Sequence, residues 1–406
     1  MAAPTATRTS ARSRRTPSAG RLRWRELDLL LLGAVVLLSI VGCVLVWSAT
    51  INRDDLTGGD PKAFLAKQVV NLGIGLALMV VVAATDHRWV RILAPVAYGL
   101  AVLGLVLVLV MGTTINGSRS WLMIGGLSLQ PSELAKLAVV VGMALVVAER
   151  SEGRWRDRVG TVDVLLMLGV AAVPAVLILA QPDLGTMLVL GATVFGVVAA
   201  SGAHRRWLAV LVGSGVSVAV FAVATGFLEQ YQVDRFLAFT DPGRDPRGAG
   251  YNVEQARIAV GNGGLFGQGL FDGSQTNAGF VPEQHTDFVF TVAGEELGLV
   301  GAALLIALLG IIMWRALSIA ARSDDVFGRI AAAGIACWFG FQAFQNIGMC
   351  VGIMPVTGVP LPFVSYGGSS MFAGMLAVGL LQNIHLRTIS APAARMQPAT
   401  RVLVRG

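Results

Sequence analysis

Three polar residues that could do acid–base chemistry lie within five positions of the sequence. Glu283, His285 and Asp287 stand where a long polar segment gives way to an apolar one. A carboxylate at such a boundary between water and lipid is costly unless it is paired or used. The stretch therefore indicates a carboxylate that acts on a polar group presented at a membrane surface. A second interpretation is that Asp287 only caps the apolar helix that follows it.

A pair of opposite charges opens another apolar run, in the sequence Gln-Pro-Ser-Glu-Leu-Ala-Lys. Glu133 and Lys136 are three residues apart and share one face of a helix. They could form a structural ion pair in a first helical turn. However, the chain has only three lysines, and Lys136 leads directly into an apolar span, where a charge is by default a functional candidate.

Two further segments carry candidate residues. Asp183 lies in a very short connection between apolar runs, where it could cap the next helix or contribute a carboxylate. Small residues at 365–370 begin another helix, whose N–H groups could hold an anion such as phosphate, or which could serve close helix packing alone. Prolines break the uncharged stretch 330–384 just before this point, so that break must be packed in protein or line a cavity.

The elements that must position these residues are membrane helices. Of the 406 residues, 55% are hydrophobic and 14% are charged, whereas soluble domains carry roughly 25% charged residues. Uncharged runs of the length needed to cross a bilayer recur along the chain. We therefore predict an all-α polytopic membrane protein, a bundle of ten transmembrane helices with one large extracellular loop. The predicted spans are 27–49, 67–84, 91–112, 133–148, 162–180, 184–202, 206–227, 288–314, 329–352 and 364–386.

The basic residues indicate the orientation. Most of the 31 Lys and Arg residues fall in segments that are cytoplasmic if the N-terminus is inside. We predict a disordered basic cytoplasmic tail at 1–26, a membrane domain at 27–387 with the extracellular loop 227–287, and a cytoplasmic tail at 388–406. The net charge of +7 thus marks topology and does not indicate nucleic-acid binding. All candidate residues then fall on the extracellular face.

Several carboxylates meet on that face, and hard divalent cations take oxygen ligands. Magnesium or manganese is therefore a candidate cofactor, with Asp287 and Glu283 as candidate ligands. The three cysteines fall inside predicted spans and show no CxxC spacing, which argues against a disulfide framework or a zinc site.

Four motifs together resemble those of the SEDS family, the RodA, FtsW and SpoVE type proteins of shape, elongation, division and sporulation. The resemblance covers about 27–387, and the segments 248–253 and 344–349 are most similar to the RodA branch. It implies a peptidoglycan glycosyltransferase of the bacterial plasma membrane that polymerises lipid II during cell elongation. The motifs are Gln-Pro-Ser-Glu-Leu-Ala-Lys (130–136), Gln-Pro-Asp-Leu-Gly-Thr (181–186), Pro-Glu-Gln-His-Thr-Asp-Phe (282–288) and Pro-Phe-Val-Ser-Tyr-Gly-Gly-Ser-Ser (362–370).

The resemblance also implies residue roles and partners. Asp287 matches the catalytic carboxylate, and Glu133 and Lys136 match a substrate-binding motif. The implied partners are lipid II, membrane lipids and a class B penicillin-binding protein. Arg119 is included in the substrate site, although Ser120 separates it from Trp121, where many members have arginine directly before tryptophan. The other residues predicted to bind substrate are Glu283, His285, Thr286, Asp183, Ser365, Gly367 and Gly368.

One inverting displacement suffices for the implied reaction, with Asp287 as the general base. Charge on the diphosphate leaving group could be neutralised by Lys136, which Glu133 would orient, by other external basic residues or by a divalent ion. Two alternatives are a flippase for lipid II and a non-catalytic scaffold of the elongation complex. Transporters usually place polar groups near the bilayer midplane, so a cluster at the outer face favours surface chemistry.

Overall fold

Apolar helices joined by short polar connections make up most of the chain. The computed structural model describes residues 26–115, 118–124, 127–151, 159–226, 232–233, 235 and 248–390. The first half contains α1 Leu29–Thr50, α2 Asp54–Thr57, α3 Ala63–Ala84, α4 His87–Met111, β1 Thr113–Ile115, β2 Ser118–Ile124, β3 Leu127–Leu129, α5 Pro131–Ser151, α6 Thr161–Leu179, α7 Leu184–Ala200 and α8 Arg205–Ala224. The second half contains α9 Ala249–Asn262, α10 Ser274–Ala278, α11 Val289–Glu296, α12 Gly298–Arg322, α13 Val326–Cys350 and α14 Gly368–Ser390.

Within the described chain, eight helices are long and apolar enough to cross a membrane, which confirms a polytopic helical membrane protein. They are α1, α3, α4, α5, α6, α8, α12 and α13. The remaining predicted spans, 184–202 and 364–386, correspond to α7 and α14. α7 has only 17 residues and packs against α13, while α14 packs along α3 and carries polar residues such as Gln382 and Asn383.

The span predicted at 288–314 is divided in two. α11 is a short, wholly buried helix that ends at Glu296, and the membrane-spanning α12 begins at Gly298, whose φ is +66°. Glu295 and Glu296 therefore lie outside the span. The break falls at Gly298 because its left-handed backbone conformation, which glycine adopts without strain, interrupts the helix.

Both of these carboxylates are buried and used as acceptors. Glu295 accepts hydrogen bonds from the backbone N–H groups of Gln275 (2.7 Å) and Thr276 (2.9 Å) at the start of α10. It also accepts from the hydroxyl of Thr276 at 2.7 Å. Glu296 accepts from the hydroxyl of Ser48 in α1 at 2.5 Å. The two side chains thus join α11 to α10 and to α1.

A small antiparallel sheet, β1–β2–β3, fills the connection between α4 and α5 and adds a feature to the predicted all-α fold. The sequence indicates this sheet, although the prediction of an all-α fold did not include it. Asn116-Gly117 and Gly125-Gly126 separate the strands, and such pairs favour tight hairpin turns.

The segment between α8 and α11 contains α9, which begins at Ala249. The face with Val253, Ala256 and Ala259 is buried, and α9 packs against α11 and α13. The tail predicted at 1–26 lies outside the described residues except for Glu26, as does the tail at 388–406 beyond Ser390. Between 227 and 247, only residues 232–233 and 235 are described.

We expect Glu295→Ala to lower the free energy of unfolding by about 2 kcal/mol or more, because it leaves several buried donors without an acceptor. Thermal unfolding in detergent micelles measures the change. Glu254→Ala, at an exposed position of α9, is the matched control and should unfold like the wild type. Equal destabilisation by the two substitutions would contradict the anchoring role of Glu295.

Candidate active site

The α13–α14 connection, residues 351–367, lies at the centre of the predicted site. It is not helical and contains no charged residue, yet much of it is buried, including Val359, Leu361 and Phe363. The expectation that this break is packed in protein is therefore confirmed. His285 contacts this connection directly, and Asp287 and Lys136 reach it through the side chains of Asn346 and Gln342.

Asp287 follows a tight turn and does not cap a helix. Its N–H donates to the carbonyl of Glu283 at 3.0 Å, and α11 begins beyond Phe288 without a side-chain cap. The capping interpretation is therefore wrong, and the carboxylate is not used by the helix start. The carbonyl of Asp287 accepts from Nδ2 of Asn346 at 2.7 Å, and the same nitrogen donates to the carbonyl of Val359 at 2.7 Å.

Gly358 brings the connection close to the Asp287 carboxylate. A Cβ atom on Gly358 would lie 3.2 Å from Oδ2 of Asp287, and Gly358 has a φ of +68°. A residue with a side chain would be strained in this backbone conformation and would crowd the carboxylate. The position thus requires glycine for both reasons.

The surroundings of Asp287 raise its pKa to about 7. Burial is the largest cause, because it disfavours the charged form. The nearby carboxylates of Glu283 and Asp183 raise the pKa further, while Arg235 and the hydroxyl of Thr286 oppose the shift. A carboxyl group with a pKa near neutrality can take up and release a proton at physiological pH.

His285 joins an aromatic cluster beside this turn. Its ring centroid lies 4.9 Å from that of Phe64 and 5.7 Å from that of Tyr366, and the N–H of Tyr366 donates to its carbonyl at 2.9 Å. Burial lowers the pKa of His285, with Glu283 opposing the shift and Arg53 adding to it. The cluster holds the start of α3, the turn before Asp287 and the end of the α13–α14 connection together.

Glu133 and Lys136 form the predicted ion pair, with 2.7 Å between Lys136 Nζ and Glu133 Oε1. Lys136 is 0% exposed and also donates to Oε1 of Gln342 at 2.8 Å. Its ammonium lies 5.3 Å from the centre of the Trp338 ring. The predicted ion pair is thus present, and protein encloses its charges.

Asp183 caps α7, which confirms the prediction that it could cap the next helix. It accepts from the N–H and the hydroxyl of Thr186 at 2.9 and 2.8 Å. It also accepts from Nε2 of Gln130 at 3.3 Å, which joins the start of α7 to the start of α5. Besides capping α7, Asp183 is one of the groups that raise the pKa of Asp287.

The predicted anion site at 365–368 is already partly used by the protein. The N–H groups of Ser365 and Gly367 donate to the carbonyl of Leu361 at 3.1 Å and to Oε1 of Gln68 at 3.4 Å. α14 begins at Gly368, so its first turn carries the remaining donors of this motif. Ser365 and Gly367 therefore contribute mainly to packing.

Arg119 is not brought to the cluster around Asp287. Its guanidinium donates to the carbonyls of Gly112 at 2.8 Å and Val110 at 2.9 Å, which ties β2 to the end of α4. The part of the chain that the structure describes also shows no group of three or more His, Cys, Asp or Glu side chains suited to a metal. A divalent ion at Asp287 and Glu283 remains a prediction.

Sequence reasoning missed Gln342, Asn346 and Gln68, which make the hydrogen bonds that position the site. All three are buried amides within apolar helices. Such amides must find partners, which is a usable signal, but the sequence does not say which backbone groups they bond.

Comparisons with known proteins agree with this architecture. The family model FtsW/RodA/SpoVE, described as "Cell cycle protein", matches residues 28–389. The chain belongs to this family. It is 37% identical to "Peptidoglycan glycosyltransferase MrdB" of Escherichia coli (strain K12), over 89% of the chain and 94% of that protein. It is 36% identical to "Stage V sporulation protein E" of Bacillus subtilis (strain 168), over 88% of the chain and 96% of that protein.

Two solved structures share the fold. One comes from "Structural coordination of polymerization and crosslinking by a peptidoglycan synthase complex", with a TM-score of 0.72 and 34% identity over 89% of this chain and 98% of that one. The other is the rod shape determining protein RodA of Thermus thermophilus, with a TM-score of 0.65 and 33% identity over 90% of this chain and 98% of that one. Since curated relatives of this family are named glycosyltransferases, the chain is an enzyme of that class, as its sequence predicted.

We expect Lys136→Met to lower the free energy of unfolding by about 3–5 kcal/mol, because it leaves the buried carboxylate of Glu133 without its cation. The double variant Glu133→Gln/Lys136→Met should recover part of this loss, since no unpaired charge remains. Thermal unfolding in detergent measures both, with Lys67→Met at an exposed position as the control. A double variant that is less stable than Lys136→Met would count against the buried pair.

Proposed function

We propose that this chain is a peptidoglycan glycosyltransferase that polymerises lipid II, with Asp287 as the general base. The observation that carries the proposal is the Asp287 carboxylate, which no helix uses as a cap and whose pKa is raised to about 7. It lies beside Gly358, where a substrate could approach a carboxylate without meeting a side chain.

The reaction transfers a glycosyl group from one lipid-linked sugar to the hydroxyl of another. The hydroxyl oxygen forms a bond to the anomeric carbon, and the bond from that carbon to the polyprenyl diphosphate breaks. The proton of the hydroxyl passes to the carboxylate of Asp287. A single inverting displacement needs no carboxylate nucleophile, unlike a retaining glycosidase, which uses two carboxyl groups.

The diphosphate leaving group requires positive charge nearby. The enclosure of Lys136 by Glu133 and Gln342 limits it to an indirect role, so external basic residues such as Arg235 are better placed. Arg235 already influences the pKa of Asp287. Magnesium or manganese could add charge at Asp287 and Glu283, and no step of the mechanism depends on it.

The proposed setting is the bacterial plasma membrane, with both termini cytoplasmic and the site on the extracellular face. The distribution of Lys and Arg residues supports this orientation. It places Asp287 where a lipid-linked sugar lies after translocation. Similarity to the RodA branch supports a role in cell elongation.

A class B penicillin-binding protein is the proposed partner. The similar solved structure belongs to a peptidoglycan synthase complex that coordinates polymerisation and crosslinking. Crosslinking of the peptides is a different reaction from glycosyl transfer, and the proposed partner would supply it.

We expect Asp287→Asn to slow lipid II polymerisation by about 10²- to 10⁴-fold, the usual contribution of a general base. The purified chain is assayed with lipid II in liposomes, with and without the partner and a chelator. Asp272→Asn, at an exposed external position, is the control and should retain activity. Polymerisation by Asp287→Asn at the wild-type rate would contradict the proposal. Translocation of lipid II by the wild-type chain without polymer formation would support a flippase instead.

The pH dependence follows from the raised pKa of Asp287. A general base must be ionised, so activity should fall as the pH drops below about 7. Because Glu283 raises that pKa, Glu283→Gln should lower it and move the acid limb of the pH–rate profile to lower pH. Glu254→Gln, at an exposed site, should leave the limb unchanged. An unchanged or upward-shifted limb in Glu283→Gln would contradict this electrostatic picture.

A further inference from the structure

We propose that Gln342 is a positioning residue, which links the buried Glu133–Lys136 pair to the α13–α14 connection and so holds that connection against Asp287. The inference rests on the proposed function, because it assumes that Asp287 acts in glycosyl transfer. In this proposal Lys136 orients Gln342 and does not bind the diphosphate of the substrate.

The oxygen of the Gln342 amide is fixed by two donors. Oε1 accepts from Nζ of Lys136 at 2.8 Å and from Nε1 of Trp338 at 2.7 Å. Lysine ammonium and indole N–H groups can only donate, so the amide oxygen must face them. The orientation of the whole side chain is therefore determined by its surroundings, and its NH₂ group must point the other way.

The nitrogen of the same amide reaches the connection. Nε2 of Gln342 donates to the carbonyl of Pro360 at 2.9 Å. Asn346 lies four residues further along α13, on the same helix face, and donates to the carbonyl of the preceding residue, Val359. Two amides one turn apart thus hold two consecutive carbonyls, immediately after Gly358.

The connection uses side-chain donors in addition to its own turn at Leu361, whose carbonyl accepts from the N–H groups of Val364 and Ser365. Pro355, Pro360 and Pro362 have no backbone N–H, and the segment forms neither helix nor strand. Both ends of the buried Gln342 amide are hydrogen-bonded, which restricts the motion of this side chain. The network from Glu133 through Lys136 and Gln342 to Pro360 is therefore suited to fix the position of Gly358 against the Asp287 carboxylate.

The burial of Lys136 and Gln342 argues against direct contact between these side chains and the substrate. Lys136 is 0% exposed and Gln342 is 2% exposed. Neither side chain can bind a diphosphate without breaking the network. The effect of the pair on the reaction must therefore pass through the backbone that it holds.

The test compares Gln342→Met with Gln382→Met in the full-length chain. Gln382 is the matched control, because it is also 2% exposed and also bonds both ends of its amide, to the N–H and carbonyl of Asp28 at 2.9 and 3.0 Å. We expect Gln342→Met to lower kcat for lipid II polymerisation by about 10- to 100-fold, the size of effect that a small misplacement produces, with KM little changed. Gln382→Met should keep the wild-type kcat per folded molecule.

One further readout separates positioning from a general loss of stability. Amide hydrogen exchange in residues 351–367 should become faster in Gln342→Met and not in Gln382→Met. Unchanged exchange in a folded Gln342→Met protein would overturn the proposal.

Gln342→Glu separates the two halves of the network. Its carboxylate can still accept from Lys136 and Trp338, but it has no donor for the carbonyl of Pro360. We expect it to remain folded and to lose kcat as Gln342→Met does. Full activity of Gln342→Glu would show that the bond to Pro360 is not needed and would reject the proposal.

Asp287→Asn in the same assay distinguishes the two levels of inference. An active Asp287→Asn protein means that the proposed base is wrong. An inactive Asp287→Asn protein beside a fully active Gln342→Met protein means that only the positioning role is wrong.

Discussion

The site depends on hydrogen bonds that side chains supply to a buried segment without regular secondary structure. The α13–α14 connection is rich in proline and forms neither helix nor strand, so its buried carbonyls need donors from elsewhere. Gln342 and Asn346 provide them from one face of α13. Every other feature of the site, from the approach of Gly358 to the setting of Asp287, follows from where this segment is held.

The same packing sets the chemistry. Burial beside uncharged backbone raises the pKa of Asp287, and the neighbouring carboxylates of Glu283 and Asp183 add to the effect. Asp183 has a second task, because it caps α7 and receives a hydrogen bond from Gln130 at the start of α5. Asp183 therefore has a structural and an electrostatic role. A change in the start of α7 that moves Asp183 would also change the pKa of Asp287.

Much of this was accessible from the sequence, for identifiable reasons. Long apolar runs have few alternatives to membrane helices, and the i,i+3 spacing of Glu133 and Lys136 is enough to pair them. The division of the span at Gly298 was missed because a single glycine hardly changes the mean hydropathy of a long segment. Two adjacent carboxylates, Glu295 and Glu296, are unusual inside a membrane helix and could have indicated the division. The partners of Gln342 and Asn346 could not be foreseen, since they are carbonyls whose positions depend on the packing of distant helices.

The spacing of the buried ion pair also bears on how the chain enters a membrane during synthesis. Lys136 and its partner Gln342 are 206 positions apart, so the amide is made long after α5 has been inserted. Glu133, in contrast, lies one turn away and emerges together with the lysine. Because Glu133 neutralises Lys136 within α5, this helix can enter the membrane before α13 has been made. When α13 is inserted, Gln342 bonds Lys136 and makes the ion pair part of the site.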